Sequence, residues 1–272
     1  MTDGVDLDAY RRYMVRRGYA RETIWARHAN ARRWVRWCDD WRTATFRDVE
    51  RWIDGRPVSP ATSRNLIGYV RAFYRWAMRE GLCETNPTLL VEWPRLPRRL
   101  PRPANEAAVA HVLGQIDVQT AAMIALQAGG GLRCCEVSRL DWADVDLVEG
   151  RVRVLGKGRQ RIVHLPTWAR DRLAALERNG WAVFTGRSER RLSPARVSQI
   201  VCRAFHAAGY RIVAHQLRHR AATIAYAQPG ADLYAVRDFL GHSSVATTQI
   251  YARLEASRVV AMSRAIPAPL PG

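Results

Sequence analysis

Apolar residues fall at helical spacing along most of this chain. Leu7, Tyr10 and Met14 recur three and four residues apart, and Ile24, Ala31, Val35 and Cys38 make a similar stripe on the next segment, as one buried helix face does. Thr23 stands where a cap for that second helix is expected. Arg47 to Ile53 suggests a short third helix. Ser59-Pro60 opens a fourth that runs to about Arg79, a capping hydroxyl followed by a first-turn proline. On this fourth helix Leu66, Val70, Phe73 and Ala77 form one stripe, and Arg64, Gly68, Arg71 and Arg75 fall on the opposite face. Gly68 leaves that face open to close approach by another backbone.

The pattern breaks between Asn86 and Pro103, where Pro87, Pro94, Pro97, Pro101 and Pro103 exclude regular helix and Arg95, Arg98, Arg99 and Arg102 add charge. This divides the chain into a helical domain over 1–90, a semi-stiff basic linker over 91–103 and a second domain over 104–272. In the second domain Glu106–Gln115 and Val118–Ala128 read as helices, and Gly129-Gly130-Gly131 ends the latter. Arg133 then starts a short helix that carries Glu136 on the adjacent turn, where a carboxylate is suited to orient an arginine. The period changes to two in Arg151-Val152-Arg153-Val154-Leu155 and Arg161-Ile162-Val163-His164-Leu165, with Gly156-Lys157-Gly158-Arg159 between them, and this is the pattern of a β-hairpin. Helices are expected over Thr167–Arg178 and Ser193–Ala208, and a last one over about Glu255–Ala265 before a proline-rich tail. The fold class is mainly α with a small β-hairpin or sheet: a helical domain followed by an α+β domain.

Charge changes the picture. The 272 residues carry 43 Lys plus Arg against 25 Asp plus Glu, a net charge of +18, which favours a polyanionic partner such as nucleic acid. The arginine face of the fourth helix contains no acid, so Arg64, Arg71 and Arg75 are read as phosphate contacts, with Arg95, Arg98 and Arg99 on the linker and Arg159 at the hairpin. Six of the ten tryptophans precede residue 80, and most are assigned to the core. The five cysteines are odd in number and show no Cys-x-x-Cys spacing, which suits a reduced cytoplasm. No run is long and apolar enough to span a membrane, Met1-Thr2-Asp3-Gly4 does not open a signal peptide, and no metal-ligand spacing occurs.

The polar chemistry gathers between Tyr210 and Tyr251. His215 and Arg218 lie three apart on one helical stretch, with Leu217, Ile224 and Ala225 available to a core. Gly230 and Gly241 mark helix ends, His242 follows in a turn, and Tyr251 sits inside a further short helix. Arginine binds phosphate oxygens with a planar fork, histidine moves protons near neutral pH, and a tyrosine beside positive charge can act as a nucleophile. The natural target of such a set is a phosphodiester.

His215-x-Leu217-Arg218-His219, Leu240-Gly241-His242 and Thr247-Thr248-x-x-Tyr251, together with Gly131-Leu132-Arg133-x-x-Glu136, resemble the motifs of the tyrosine recombinases, the phage integrase family. The resemblance covers nearly the whole chain and is closest to two-domain, Xer-like members without an arm-binding domain. It implies a helical core-binding domain and a tyrosine-recombinase catalytic domain that together form a C-shaped clamp on DNA. It further implies a site-specific DNA recombinase or integrase acting through a 3′-phosphotyrosyl intermediate and a Holliday junction. The catalytic set it selects is Arg133, Lys157, His215, Arg218, His242 and Tyr251, with Glu136 in support. No metal, ATP or other cofactor is implied. The implied partners are double-stranded DNA with core-type inverted repeats and three further copies of the chain in a tetramer on DNA, with a directionality factor as a further candidate. The terminal element around Ala261, Met262 and Ile266 packs either on its own domain or on a neighbouring protomer. A type IB topoisomerase-like activity and a non-catalytic DNA-binding protein are the alternatives; the complete six-residue set argues against the second and His242 against the first.

Lys157 stands out without any resemblance. It is the only lysine among 43 basic residues, so the other 42 are arginine. Arginine is an extremely poor proton donor, whereas a lysine pKa can be lowered into a useful range. A lysine retained at a glycine-flanked hairpin tip fits the role of general acid.

Overall fold

The computed structural model describes residues 5–96, 100–156, 159–186, 188–228 and 232–241. The chain divides into two compact units, Met1–Arg98 and Arg99–Gly272.

The first unit is built from four helices: α1 (Leu7–Arg16), α2 (Arg21–Trp37), α3 (Phe46–Asp54) and α4 (Pro60–Arg79). Their starts are chemically marked. The Asp6 carboxylate accepts from the Ala9 N–H at 3.0 Å, and the Ser59 hydroxyl accepts from the Thr62 N–H at 3.3 Å, each satisfying a donor that has no partner within the first turn. At α3 the Asp48 carboxylate reaches back to the Thr45 N–H and hydroxyl, both at 2.7 Å. Helix α2 departs from expectation: it starts at Arg21 after Ala20, so Thr23 lies inside it and caps nothing. Glu22 in its first turn supplies the negative charge that a helix N-terminus favours.

The core of this unit is aromatic. Tyr10, Trp34, Trp41, Trp52, Phe73, Tyr74 and Trp76 are buried with Met14, Val49, Ile67, Val70 and Ala77. The Trp34 indole N–H donates to the Tyr74 hydroxyl at 3.0 Å, and that hydroxyl donates to the Trp41 carbonyl, so the polar tips of these two rings are satisfied inside, whereas the Tyr10 hydroxyl and the Trp41 and Trp52 indole N–H groups are buried without a partner among the described residues. Four of the six early tryptophans are thus core residues, while Trp25 and Trp37 are exposed. The core extends past α4: a short 3-10 turn at Pro87–Leu89 follows, and Val91 is buried against the same cluster.

The second unit is arranged around α6 (Val118–Ala128), which is buried on every side from Thr120 to Ala128. Such all-round burial marks a central helix. Around it stand α5 (Glu106–Leu113), α7 (Cys134–Arg139), α8 (Thr167–Ala174), α9 (Pro194–Ala207), α10 (Ala214–Ala227) and α11 (Leu233–Leu240). The expected hairpin forms as β2 (Arg151–Gly156) against β3 (Arg159–His164), antiparallel, with Val152 opposite Val163 and Val154 opposite Arg161. Val152, Val154 and Val163 point into the core, and Arg151, Arg153 and Leu155 face outward, as a two-residue period requires. A third strand, β1 (Val145–Asp146), pairs with β2 and completes a small antiparallel sheet; at two residues it is too short to leave a periodic signal.

Two further expectations are corrected. Helix α8 ends at Ala174 rather than Arg178, and Arg178 instead lies over the Trp142 ring at 4.8 Å. Ile224 is exposed rather than core, whereas Leu217 is fully buried on the other side of α10. The expectations for the Lys157-Gly158 turn, Gly230, His242, Tyr251, the last helix and the tail fall outside the described residues. No helix among the described residues is long and apolar enough to cross a membrane.

Candidate active site and nucleic-acid interface

The site in the second unit begins where α6 ends. A side chain on Gly129 would meet Trp168 at 2.8 Å, and one on Gly130 would meet Leu165 at 2.8 Å. Gly131 has a φ of +65° and lies against Leu240 and Phe239 of α11. This turn therefore needs glycine for both space and backbone angle, and it delivers Arg133 to the first turn of α7.

There Glu136 is the centre of a cation cluster. Its side chain is fully buried. It accepts from the Arg133 backbone N–H at 2.9 Å and from Arg133 Nη1 at 2.8 Å. Arg161, from β3, donates to both of its oxygens, Nη1 to Oε1 at 2.8 Å and Nη2 to Oε2 at 3.0 Å. Arg218, from α10, brings Nη1 to 3.9 Å from Oε2. Burial would raise this carboxyl's pKa, but the hydrogen bonds and charge of Arg161 and Arg133 overcome it and hold it below the usual value. Glu136 is therefore ionised and orients arginines, as its position suggested.

The same three arginines close the end of α11. Arg161 Nε donates to the Phe239 carbonyl at 3.2 Å, Arg218 Nη2 to the Leu240 carbonyl at 2.7 Å, and Arg133 Nη2 to the Gly241 carbonyl at 3.2 Å. Arg218 Nη1 also donates to the Gly131 carbonyl. Three successive carbonyls at the C-terminal end of α11 thus each receive a guanidinium, which suits the negative end of the helix dipole. Gly241 turns left-handed at φ +62° immediately before His242 in the sequence.

Three guanidiniums against one carboxylate leave a surplus of two positive charges, enough to attract a phosphodiester. The Arg133 side chain keeps 30% of its surface in solvent, against 12% for Arg161 and 2% for Arg218, so Arg133 is the open edge of the cluster. On α10 the His215 ring lies edge-on to His219 with centroids 4.3 Å apart. Lost hydration on its protein side, then the charges of Arg218 and Arg133, lower the His215 pKa. Burial and the charges of His215 and Arg218 push His219 down to about 4. Both rings are thus biased to the neutral form at pH 7, in which a ring nitrogen can accept a proton.

Of the six candidate catalytic residues, Arg133, His215 and Arg218 come together here. Lys157, His242 and Tyr251 lie outside the described residues. Arg161 was absent from the sequence-derived set. Its signal there is only a polar residue in an alternating strand, and nothing in that pattern names Glu136 or Phe239 as its partners.

In the first unit, Arg64 and Arg71 both lie over the Trp93 ring, at 5.2 and 5.5 Å from its centroid. The Gly68 position faces that indole at 3.9 Å, so the glycine admits an aromatic ring of its own unit. Arg75 and Arg95 are exposed, Arg98 and Arg99 lie outside the described residues, and Arg159 occupies the first position of β3. A second basic face went unread in the sequence. Trp25, His28, Arg32, Arg33 and Arg36 line one concave surface along α2, at the three- and four-residue spacing of a helix face.

The model of the phage integrase family matches residues 104–258. The tyrosine recombinase XerC of Corynebacterium efficiens is 33% identical over 79% of this chain and 76% of its own. The tyrosine recombinase XerD of Xanthomonas axonopodis pv. citri is 32% identical over 88% of this chain and 89% of its own. Among solved structures, a lambda integrase dimer bound to a core site shares the fold at a TM-score of 0.75 and 18% identity, covering 90% of this chain and 93% of that one. With its motifs, its fold and these relatives in agreement, the chain belongs to the phage integrase family of tyrosine recombinases.

Proposed function

We propose that this protein is a site-specific DNA recombinase that cuts and rejoins DNA through a tyrosyl–phosphate link. The observation that carries the reading is the arginine cluster around Glu136. Four separate segments, from the α6–α7 turn, β3, α10 and the end of α11, converge on it and leave positive charge at its open edge. Preorganised donors of this kind stabilise charge on phosphoryl oxygens without reorganising during reaction.

In the proposed reaction the Tyr251 phenol oxygen attacks the scissile phosphorus. A 3′-phosphotyrosyl bond forms as the bond to the 5′-oxygen breaks. His215 hydrogen-bonds the phosphate and helps take the phenol proton, and Lys157 gives a proton to the departing 5′-oxygen. Arg133, Arg218 and His242 hold the non-bridging oxygens. A 5′-hydroxyl from a partner strand then attacks the phosphotyrosyl bond, releases Tyr251 and restores a phosphodiester. The number of phosphoester bonds is conserved, so the cycle needs no ATP. Two such exchanges pass through a Holliday junction, and a homo-tetramer on double-stranded DNA with core-type inverted repeats is the proposed working unit. A lambda integrase tetramer bound to a Holliday junction has this fold, which supports that assembly. Arg64, Arg71, Arg75, Arg95, Arg98, Arg99 and Arg159, and the basic face of α2, are assigned to the DNA backbone, and the cytoplasm is the proposed compartment.

The test is covalent capture. A nicked duplex is built on the inverted-repeat sequence that this protein selects from random-sequence DNA. The parent protein should accumulate a covalent adduct on it, and Tyr251→Phe should bind the same duplex and yield none. Adduct formed by the Phe variant would remove Tyr251 from the role of nucleophile.

A further inference from the structure

Arg161 belongs to no part of the proposed catalytic set, yet all three of its guanidinium nitrogens are engaged within the cluster. It spans Glu136 with both terminal nitrogens and reaches the Phe239 carbonyl with its Nε. It also occupies the space a side chain on Gly241 would need, with Nη1 2.8 Å from that position. Its own side chain is 12% exposed, so it offers little surface to DNA.

We infer that Arg161 is a positioning residue, which locks Glu136 and the end of α11 together so that Arg133 and Arg218 are presented to the scissile phosphate in fixed orientation. The inference rests on the recombinase reading given above. The geometry gives each contact a purpose. Arg133 and Arg218 are oriented by two anchors, Glu136 and the carbonyls of Leu240 and Gly241. Those anchors come from α7 and α11, which are far apart in sequence. Arg161 stands on a third element, the sheet, and hydrogen-bonds both of them, taking both oxygens of Glu136 and the Phe239 carbonyl. Without it, Glu136 keeps its contacts to Arg133 but loses a bidentate partner, and the last turn of α11 loses the donor at Phe239. An ammonium in its place would keep the charge but lack the planar fork that meets two carboxylate oxygens and a carbonyl at once.

This role predicts an effect that a merely structural arginine would not produce. The charges facing Glu136 are Arg133 from the α7 start, Arg161 from β3 and Arg218 from α10, with His215 nearby on α10. Arg161 is the strongest of the influences that keep this buried carboxyl ionised. Its loss therefore raises the Glu136 pKa, and the carboxylate that orients Arg133 becomes protonated at higher pH than in the parent.

The experiment compares parent, Arg161→Gln, Arg161→Lys and the double variant Arg161→Gln with Glu136→Gln. Each is assayed for single-turnover cleavage on the selected nicked duplex from pH 5 to 9, with binding to the same duplex and thermal melting measured alongside. Arg161→Gln should bind DNA within about threefold of the parent and cleave about 10²-fold more slowly at pH 7, the scale of a small misplacement of reacting groups. Its acid limb should lie at higher pH than the parent's, and that displacement should vanish in the double variant. Arg161→Lys should return the limb to the parental pH without restoring the plateau rate. Parental cleavage by Arg161→Gln, or a uniform loss with an unmoved acid limb, would overturn the inference. If Arg161→Gln does not melt cooperatively, Arg161→Lys decides: a lowered plateau at the parental limb supports the role, and a parental plateau refutes it. A parent that forms no adduct would instead sink the recombinase reading, and the inference with it.

Discussion

Arginine is held differently at the α4 face of the first unit and at the Glu136 cluster of the second. In the first, Arg64 and Arg71 lie over the face of Trp93. In the second, Arg133, Arg161 and Arg218 are fixed at their edges by carbonyls and by Glu136. A ring beneath a guanidinium engages its face and leaves the in-plane N–H groups directed sideways, where phosphate oxygens can meet them. Edge contacts use those in-plane donors to define an orientation. The first arrangement suits a surface that binds many phosphates along a backbone with modest precision. The second suits a site where one phosphate must sit in one geometry. Net charge alone does not separate these uses; the partner of each arginine does.

The largest effect should come from removing the anion at the centre of the second arrangement. Glu136→Gln leaves three guanidiniums without their counter-charge in a buried site. Breaking a buried pair in this way costs about 3–5 kcal/mol. Denaturant unfolding should show that loss, and adduct should form more slowly than with the parent at every pH while remaining measurable. If stability is unchanged within about 0.5 kcal/mol, as for an ordinary surface substitution, the cluster is not the anchor described here.

A smaller effect is expected in the first unit. Trp93→Ala removes the ring beneath Arg64 and Arg71 but no charge. At about 0.5–1 kcal/mol per exposed cation–π contact, DNA affinity should fall by up to about tenfold. The slope of log affinity against log salt should stay the same. Arg64→Ala should instead reduce that slope by about one unit, since one phosphate contact and its released counterions are lost. Equal slopes for the parent and Arg64→Ala would take Arg64 off the DNA backbone.

The smallest effect concerns His219. Its folded-state pKa is about 4 against an ordinary 6.5, so the unfolded chain binds the proton more readily than the folded one. The neutral ring's contribution is complete above pH 6.5 and is lost progressively as pH falls toward 4. His219→Gln should flatten the decline of unfolding free energy across that window and change little at pH 8. Identical pH dependence for parent and variant would contradict this assignment.

The same contrast explains what the sequence disclosed. Arg133 and Glu136 are three residues apart, and His215 and Arg218 likewise, so local helical geometry places each pair from spacing alone. The aromatic stripes of α1 and α4 and the alternation of β2 and β3 were legible for the same reason. Arg161 and Glu136 are 25 residues apart, and Arg161 and Phe239 are 78 apart. No local period connects them, and only packing of the sheet against α7 and α11 brings them into contact. Trp93 was hidden differently. It lies in a proline-rich stretch whose composition reads as linker, yet its ring returns to α4. Helix α2 shows a third limit, since Thr23 is a plausible cap by residue type while the chain starts the helix at Arg21 without a side-chain cap.

The aromatic core of the first unit has an optical consequence. Trp34, Trp41, Trp52 and Trp76 are all buried there, whereas in the second unit Trp168 and Trp181 are exposed and Trp142 is half-buried. The fully buried large aromatic rings of the second unit, Phe184 and Phe205, are phenylalanines. Indole emission moves to longer wavelength when a shielded ring meets water, so most of the change in this protein's intrinsic fluorescence on denaturation originates in one unit. The second unit reports its unfolding in that channel chiefly through the half-buried Trp142, and circular dichroism at helix wavelengths registers both units.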